Sequence, residues 1–372
     1  MILLSLTVLL SCTTPQWEPL FNGKNLDGWT IVNGAQSTWT VQNKTIVCSG
    51  KPTGVMRTNT MYENFVLELE WRHNVPNGNA GLFVWSDPIP AVGVPFTRAI
   101  EVQIMDGNEL DWYTTHGDIF SIWGATMTPD DPHPHGEHVQ RCLPSERRSK
   151  PAPEWNHYTV TCIDGQINLS VNGAFVSGAS DVTPNKGYIC LESEGTEVVF
   201  RNIRILELPP SAPPTTDVAN LDVGFVTLYT GIDLTGWEGD PTHWKPQGWS
   251  LHHDGEGAPM TTTQPYEMFE IMVDVKCKDP SCQPFFIIDD TKVHIPTSEK
   301  GWSRFVVQGK GATISLGSTK EADFCNIFIR PVQNIDGRTL KEYEQKVIVP
   351  YGSTHGSNPH NRSISTCSLS SR

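Results

Sequence analysis

At 372 residues the chain is long enough for two domains, each with a sizeable core. A formal net charge of -14, a pI near 5.3 and the lack of a lysine or arginine stripe argue against nucleic acid as a partner and for small neutral ligands. With 31 glycines, 28 prolines and no long run of helical periodicity, the composition predicts an all-β protein whose strands are joined by turns and loops.

Residues 1–16 read as an export segment with a short linker. Met1 to Leu10 is almost wholly apolar, and Leu9-Leu10-Ser11-Cys12 resembles a bacterial lipobox in which the cysteine is lipidated after cleavage. The run is too short to cross a bilayer as a helix, which takes ~20 residues. It departs from an ordinary leader in having no Lys or Arg before Cys12. The expectation is an exported lipoprotein, held at the membrane only through its lipid. That compartment permits disulfides, and Cys277 and Cys282, bracketing Lys278-Asp279-Pro280-Ser281, are the expected local bridge. Cys162 and Cys190 sit in strand register and read as buried thiols.

Strands are predicted at Val66 to Arg72, Gly81 to Trp85, Ile100 to Met105, Tyr158 to Ile163, Ile167 to Val171, Gly187 to Glu192 and Val198 to Leu206. Asp164-Gly165 and Asn172-Gly173 are hairpin turns, since both pairs accept positive φ. In the first strand Phe65, Leu67, Leu69 and Trp71 share an apolar face, and Glu68, Glu70 and Arg72 share a charged one. Such a face suits a saccharide cleft and equally suits a solvated outer sheet. Glu101, Gln103 and Asp106 gather carboxylates and an amide on one strand, while Glu192 and Glu194 are either a second acidic pair or solvent-facing. Two long segments, Ser86 to Arg98 and Thr126 to Pro153, are expected to form a binding rim. His133, His135 and His138 read as a flexible loop, with no metal expected.

The landmarks of the first half return in the second. Leu20-Phe21-Asn22-Gly23 and Leu26-Asp27-Gly28-Trp29 are echoed by Leu228-Tyr229-Thr230-Gly231 and Leu234-Thr235-Gly236-Trp237. Trp155-Asn156-His157-Tyr158 aligns with Trp302-Ser303-Arg304-Phe305, and Phe200-Arg201-Asn202-Ile203 with Phe324-Cys325-Asn326-Ile327. The order is kept while the spacing shrinks. Domains are therefore expected at 17–209 and 225–332, joined by a proline-rich linker at 210–224 and followed by a tail at 333–372, partly disordered, with a helix or strand near Leu340 to Val349. The charged face changes between copies: Glu70 becomes Asp274, Arg72 becomes Lys276, Arg201 becomes Cys325, and the Glu101 region contracts to Lys292-Val293-His294. One copy is expected to be active, the other a structural or sugar-binding partner.

Leu20-Phe21-Asn22-Gly23, Leu26-Asp27-Gly28-Trp29, Leu69-Glu70-Trp71-Arg72, Gly78-Asn79-Ala80-Gly81-Leu82, Glu101-Val102-Gln103-Ile104, Glu154-Trp155-Asn156, Val171-Asn172-Gly173 and Phe200-Arg201-Asn202-Ile203-Arg204-Ile205 together resemble the bacterial 3-keto-disaccharide hydrolase family over Trp17 to Leu208. The resemblance implies a concanavalin A-like jelly-roll β-sandwich, with the second unit a smaller, degenerate relative, and a glycoside or oligosaccharide substrate oxidised at the third sugar carbon. An upstream sugar 3-oxidoreductase would install that ketone. No cofactor is expected, because no GxGxxG follows a strand.

A ketone at that carbon acidifies the neighbouring C–H, so a base can remove the proton and expel the anomeric substituent, and water then adds to the unsaturated product. Glu101 is the expected base, with Glu70 second. Arg72, or Arg201 if it faces inward, is the candidate for the enolate charge, and His116 for the proton donor. Gln103, Asn79, Asp106 and Glu192 are expected to contact sugar hydroxyls, and Trp85, Trp112 and Trp123 to stack on sugar faces. Two rivals stay open. A retaining glycosidase would use the spacing of Glu101, Gln103 and Asp106, but Gln103 departs from its carboxylate pattern. A membrane-tethered carbohydrate-binding module would need no chemistry.

Overall fold

The computed structural model describes residues 15–106, 114–136, 138–299 and 301–333. The leader with Cys12, Trp112 and the tail around Leu340 to Val349 lie outside the described residues. Among the described residues the regular structure is antiparallel β, with two single turns of 3-10 helix. No helix there is long and apolar enough to cross a membrane.

The first unit is a sandwich of a nine-stranded and a seven-stranded sheet. In the nine-stranded sheet Phe65–His73 lies between Asn156–Ile163 and Val198–Glu207. In the seven-stranded sheet Asn79–Ser86 lies between Ala99–Met105 and Tyr188–Ser193. Period-two alternation builds the core: Phe65, Leu67, Leu69 and Trp71 from one sheet meet Ala80, Leu82, Ile100, Val102, Ile104, Ile189 and Leu191 from the other.

The second unit keeps this order in the strands it shares with the first, and it is a smaller sandwich of six-stranded and five-stranded sheets. The repeated motif has a shared physical cause. Trp29 Nε1 donates to the Leu20 carbonyl at 2.7 Å, and Trp237 Nε1 to the Leu228 carbonyl at 2.6 Å. The glycine before each tryptophan, Gly28 or Gly236, turns the chain at φ of 88°. What the second unit lacks are counterparts of the first unit's strands at Ile119–Ile122, Thr126–Pro129, Arg141–Cys142, Gln166–Val171 and Ala174–Thr183.

The proline-rich linker is laid along the first unit. Glu63 accepts hydrogen bonds from the Ser211 and Ala212 amides, Asn220 donates to Asp87, and Asp222 pairs with Arg57 at 2.7 Å. The expected rim at Ser86 to Arg98 is instead an interface. Phe96 packs with Phe83 and Ala99 of the seven-stranded sheet and with Met272 and Phe328 of the second unit. Cys277 and Cys282 form the disulfide, whereas Cys48, Cys142, Cys162, Cys190 and Cys325 are buried free thiols.

Candidate active site

The seven-stranded sheet is buried on both faces, and its non-core face is divided. One half, with Val55, Phe83, Ala99, Phe120, Ile122 and Cys190, is apolar and lies under the Phe96 loop and the second unit. The other half is acidic and amide-rich. On Ala99–Met105 the core takes Ile100, Val102 and Ile104, so alternation turns Glu101 and Gln103 to the opposite face. The same alternation on Tyr188–Ser193 turns out Glu192, with Glu194 following. Asn79 and Gly81 come from the strand between them.

Gly81 lets the acids meet. A Cβ at that position would stand 2.8 Å from Glu192 Oε2 and 2.9 Å from Glu101 Oε1. The two oxygens therefore face each other across the space that a methyl group would fill. Both are buried, and neither has a hydrogen-bond partner. Glu101 is 4% exposed and Glu192 2% exposed. A carboxylate buried without partners is costly, so burial pushes both carboxyls well above the ordinary range; the charge of Glu194 adds to the effect on both, and that of Glu101 to the effect on Glu192. Burial likewise pushes Glu194 up to about 7.

The surrounding groups fix the charge pattern. Asn79 Nδ2 donates to Glu194 Oε2. Gln103 Nε2 donates to Asn79 Oδ1 at 3.3 Å and to Thr114 Oγ1 at 3.5 Å, which leaves Gln103 Oε1 buried without a partner. Arg141 forms a buried ion pair with Asp118, donates to Thr114 Oγ1 at 2.7 Å, and lies 3.5 Å from the Phe120 ring centroid. Phe120 is the cross-strand neighbour of Glu101, so the guanidinium stands on the Glu101 side of the pair. Its field offsets part of the burial effect there, while the charges of Glu194 and Asp118 add to that effect.

Other expected residues lie elsewhere. Glu70, Arg72 and Arg201 are on the outer face of the nine-stranded sheet, separated from Glu101 by the core. Glu70 is held by Arg201 at 2.6 Å and by Asn202 at 2.9 Å, and the Arg72 and Arg201 guanidinia both stack on Trp155. A shallow cavity of about 400 Å³ on this face is lined by Glu68, Glu70, His157 and Asn202, but both carboxylates in it already pair with arginine. Trp85 is fully buried in the core, with Nε1 on the Glu63 carbonyl, and offers no surface to a sugar. Asp106 accepts from the Ala152 amide at 3.1 Å and anchors a loop. His116 is half-buried in the turn that leads to Asp118. Trp123 is half-buried beside the apolar half. His133 and His135 stack at 5.3 Å, and no group among the described residues is arranged to hold a metal ion.

The assembled residues define an antiparallel two-sheet β-sandwich with a buried acidic cluster on one sheet. Residues 16–206 match the 3-keto-alpha-glucoside-1,2-lyase-like domain, and the chain belongs to that family. Among solved structures, a putative glycosyl hydrolase from Parabacteroides distasonis is 22% identical, covering 52% of this chain and 94% of its own, with a TM-score of 0.39. A carbohydrate-binding module from Bacillus subtilis is 14% identical, covering 48% of this chain and 96% of its own, with a TM-score of 0.34. A Bacillus licheniformis β-glucanase is 13% identical, covering 53% and 100%, with a TM-score of 0.32. No curated protein matches the chain.

Proposed function

We propose that this chain is a hydrolase acting on 3-keto-glycosides, by proton abstraction beside the ketone, elimination of the aglycone and hydration of the product. The observation that carries this reading is the Glu101 carboxyl: buried, unpartnered at Oε1, on the same strand face as the Gln103 amide, and with the Arg141 guanidinium on its side of the cluster. A base for a carbon acid needs these properties, because water at the carboxylate would weaken it and a tight partner would occupy it. Arg141, rather than Arg72 or Arg201, is the cation placed to offset enolate charge. The family membership supports the substrate class. On this reading an upstream sugar 3-oxidoreductase supplies the ketone.

The test is to incubate the purified protein with a glucoside and its 3-keto derivative in parallel and to follow release of the leaving group. Release from the keto form alone is expected. Equal or faster cleavage of the unoxidised glucoside would replace this reading with a retaining glycosidase, which the facing Glu101 and Glu192 carboxyls favour. We also propose that Cys12 is lipidated and anchors the exported protein, on the strength of Leu9-Leu10-Ser11-Cys12. An acylated N-terminus in the intact mass of membrane-extracted protein is the expected result, and an unprocessed Met1 form would count against it.

A further inference from the structure

We propose that Glu192 is a second catalytic group of this site, sharing one proton with Glu101, so that Glu101 takes the proton from carbon while Glu192 gives one to the departing oxygen. The inference rests on the reading of the site as a 3-keto-glycoside hydrolase. Its physical basis is the pairing over Gly81. The Glu101 and Glu192 oxygens that flank the missing Cβ are the same two that lack hydrogen-bond partners. Two carboxyls this close and this dry cannot both ionise. Nor is the pair a device for stability: facing buried acids without a bridging donor oppose folding, and hydrophobic residues would serve the core better.

The environments of the two acids differ, and that assigns the roles. Arg141 stands on the Glu101 side, already paired with Asp118. The groups that bear on Glu192 are Glu194, Glu101 and the Cys48 thiol, with no cation among them; Glu194 bears on Glu101 as well, so Arg141 is what distinguishes the two acids. The resting proton therefore belongs on Glu192 and the charge on Glu101.

The chemistry closes on this assignment. Glu101 removes the proton from the second sugar carbon, and the C–H electron pair moves into the enolate of the ketone. As the enolate collapses, the bond from the anomeric carbon to the leaving oxygen breaks, and that oxygen takes the Glu192 proton. The aglycone departs as an alcohol. Glu192, now a carboxylate, then deprotonates a water that adds to the anomeric carbon, and Glu101 returns its proton to the second carbon. Both acids end as they began, and the net reaction is addition of one water.

The test uses the full chain with Glu192→Gln and Glu101→Gln, and two 3-keto-glucosides, one with a nitrophenol leaving group and one with a simple alkyl alcohol. A nitrophenolate departs without protonation, so Glu192→Gln should lose ~100-fold or more on the alkyl substrate and under ~10-fold on the nitrophenyl one, whereas Glu101→Gln should lose ~100-fold or more on both. Carboxyl carbon-13 titration of the substrate-free protein gives a readout apart from activity. The wild type should titrate the pair in two separated steps, with Glu194 as a third carboxyl that responds to both, and each variant should leave a single intermediate step for the remaining acid of the pair, with Glu194, Asp118, Arg141 and Cys48 retained in both variants. Equal losses on both substrates for Glu192→Gln, or a Glu101 midpoint that ignores the substitution, would overturn the proposal. If the wild type cleaves neither keto substrate, the functional reading and the catalytic role fall together, while the titration still decides whether the proton is shared.

Discussion

Gly81 occupies a strand position whose backbone conformation accepts any residue; only the side-chain space is taken, by Glu101, Glu192 and the edge of the Phe83 ring. In a strand interior, alanine is normally favoured over glycine by roughly 0.5–1 kcal/mol. At Gly81 the obstacles closest to the new methyl are the ends of two flexible carboxylate side chains, which can swing aside. Gly81→Ala should therefore fold normally while displacing both acids, and a displacement of this kind is expected to cost on the order of 100-fold in turnover. Thermal denaturation beside turnover of a 3-keto-glucoside checks this, and unchanged turnover would mean that the positions of the acids are not used. Glu192 was visible in the sequence because alternation with Ile189 and Leu191 puts it on the other face. Arg141 was not, because its strand, Arg141–Cys142, is too short to have a period and sits in a segment rich in turn residues.

The strand pairs that carry Glu70 and Asp274 show how one local geometry serves two ends. Each acid accepts a hydrogen bond from an asparagine held at positive φ beside a bulge, Asn202 in the first unit and Asn326 in the second. In the first unit this face is open, and Glu70 makes a part-exposed ion pair with Arg201. In the second, Arg304 replaces His157 and pairs with Asp274 at 2.7 Å, and the group grips the Pro90 to Val94 loop: Gly93 donates to Asp274, Arg304 to the Pro90 carbonyl and Asn326 to those of Ala91 and Val94. The polar face of the second unit was thus rebuilt as a docking surface. The two alanine variants should diverge accordingly. Asp274→Ala leaves Arg304 buried without its partner and should cost ~3–5 kcal/mol, whereas Glu70→Ala at the equivalent position should cost ~1 kcal/mol or less. Chemical denaturation of the full chain measures both, and similar values would show that burial does not set the energetics of this motif.

Across the whole molecule, the register that aligns the two sandwiches also shows how the second lost its site. Leu82 and Leu191 correspond to Phe286 and Leu316, so Gly81 corresponds to Phe285, Glu192 to Gly317 and Glu101 to Lys292. A phenylalanine fills the space that the acids share in the first unit, and the Lys292 ammonium lies 3.7 Å from its ring centroid. The repeat, the all-β class, the local disulfide and the gathering of Glu101 and Gln103 on one strand were legible in the sequence, because each depends on residues close together in the chain: a motif returning in order, polar groups clustered along one strand, two cysteines a turn apart. What was not legible is which of several charged strand faces is buried. Glu68, Glu70 and Arg72 alternate with apolar residues as cleanly as Glu101 and Gln103 do, and a period of two says only that two faces differ. Tertiary structure decided the matter by covering: the Phe96 loop and the second unit close the apolar half of one sheet, and non-local pairing brings Glu101, Glu192 and Arg141 from distant strands into the dry half beside it. Burial without partners, the property that turns a carboxylate into a candidate base, exists only once those strands are side by side.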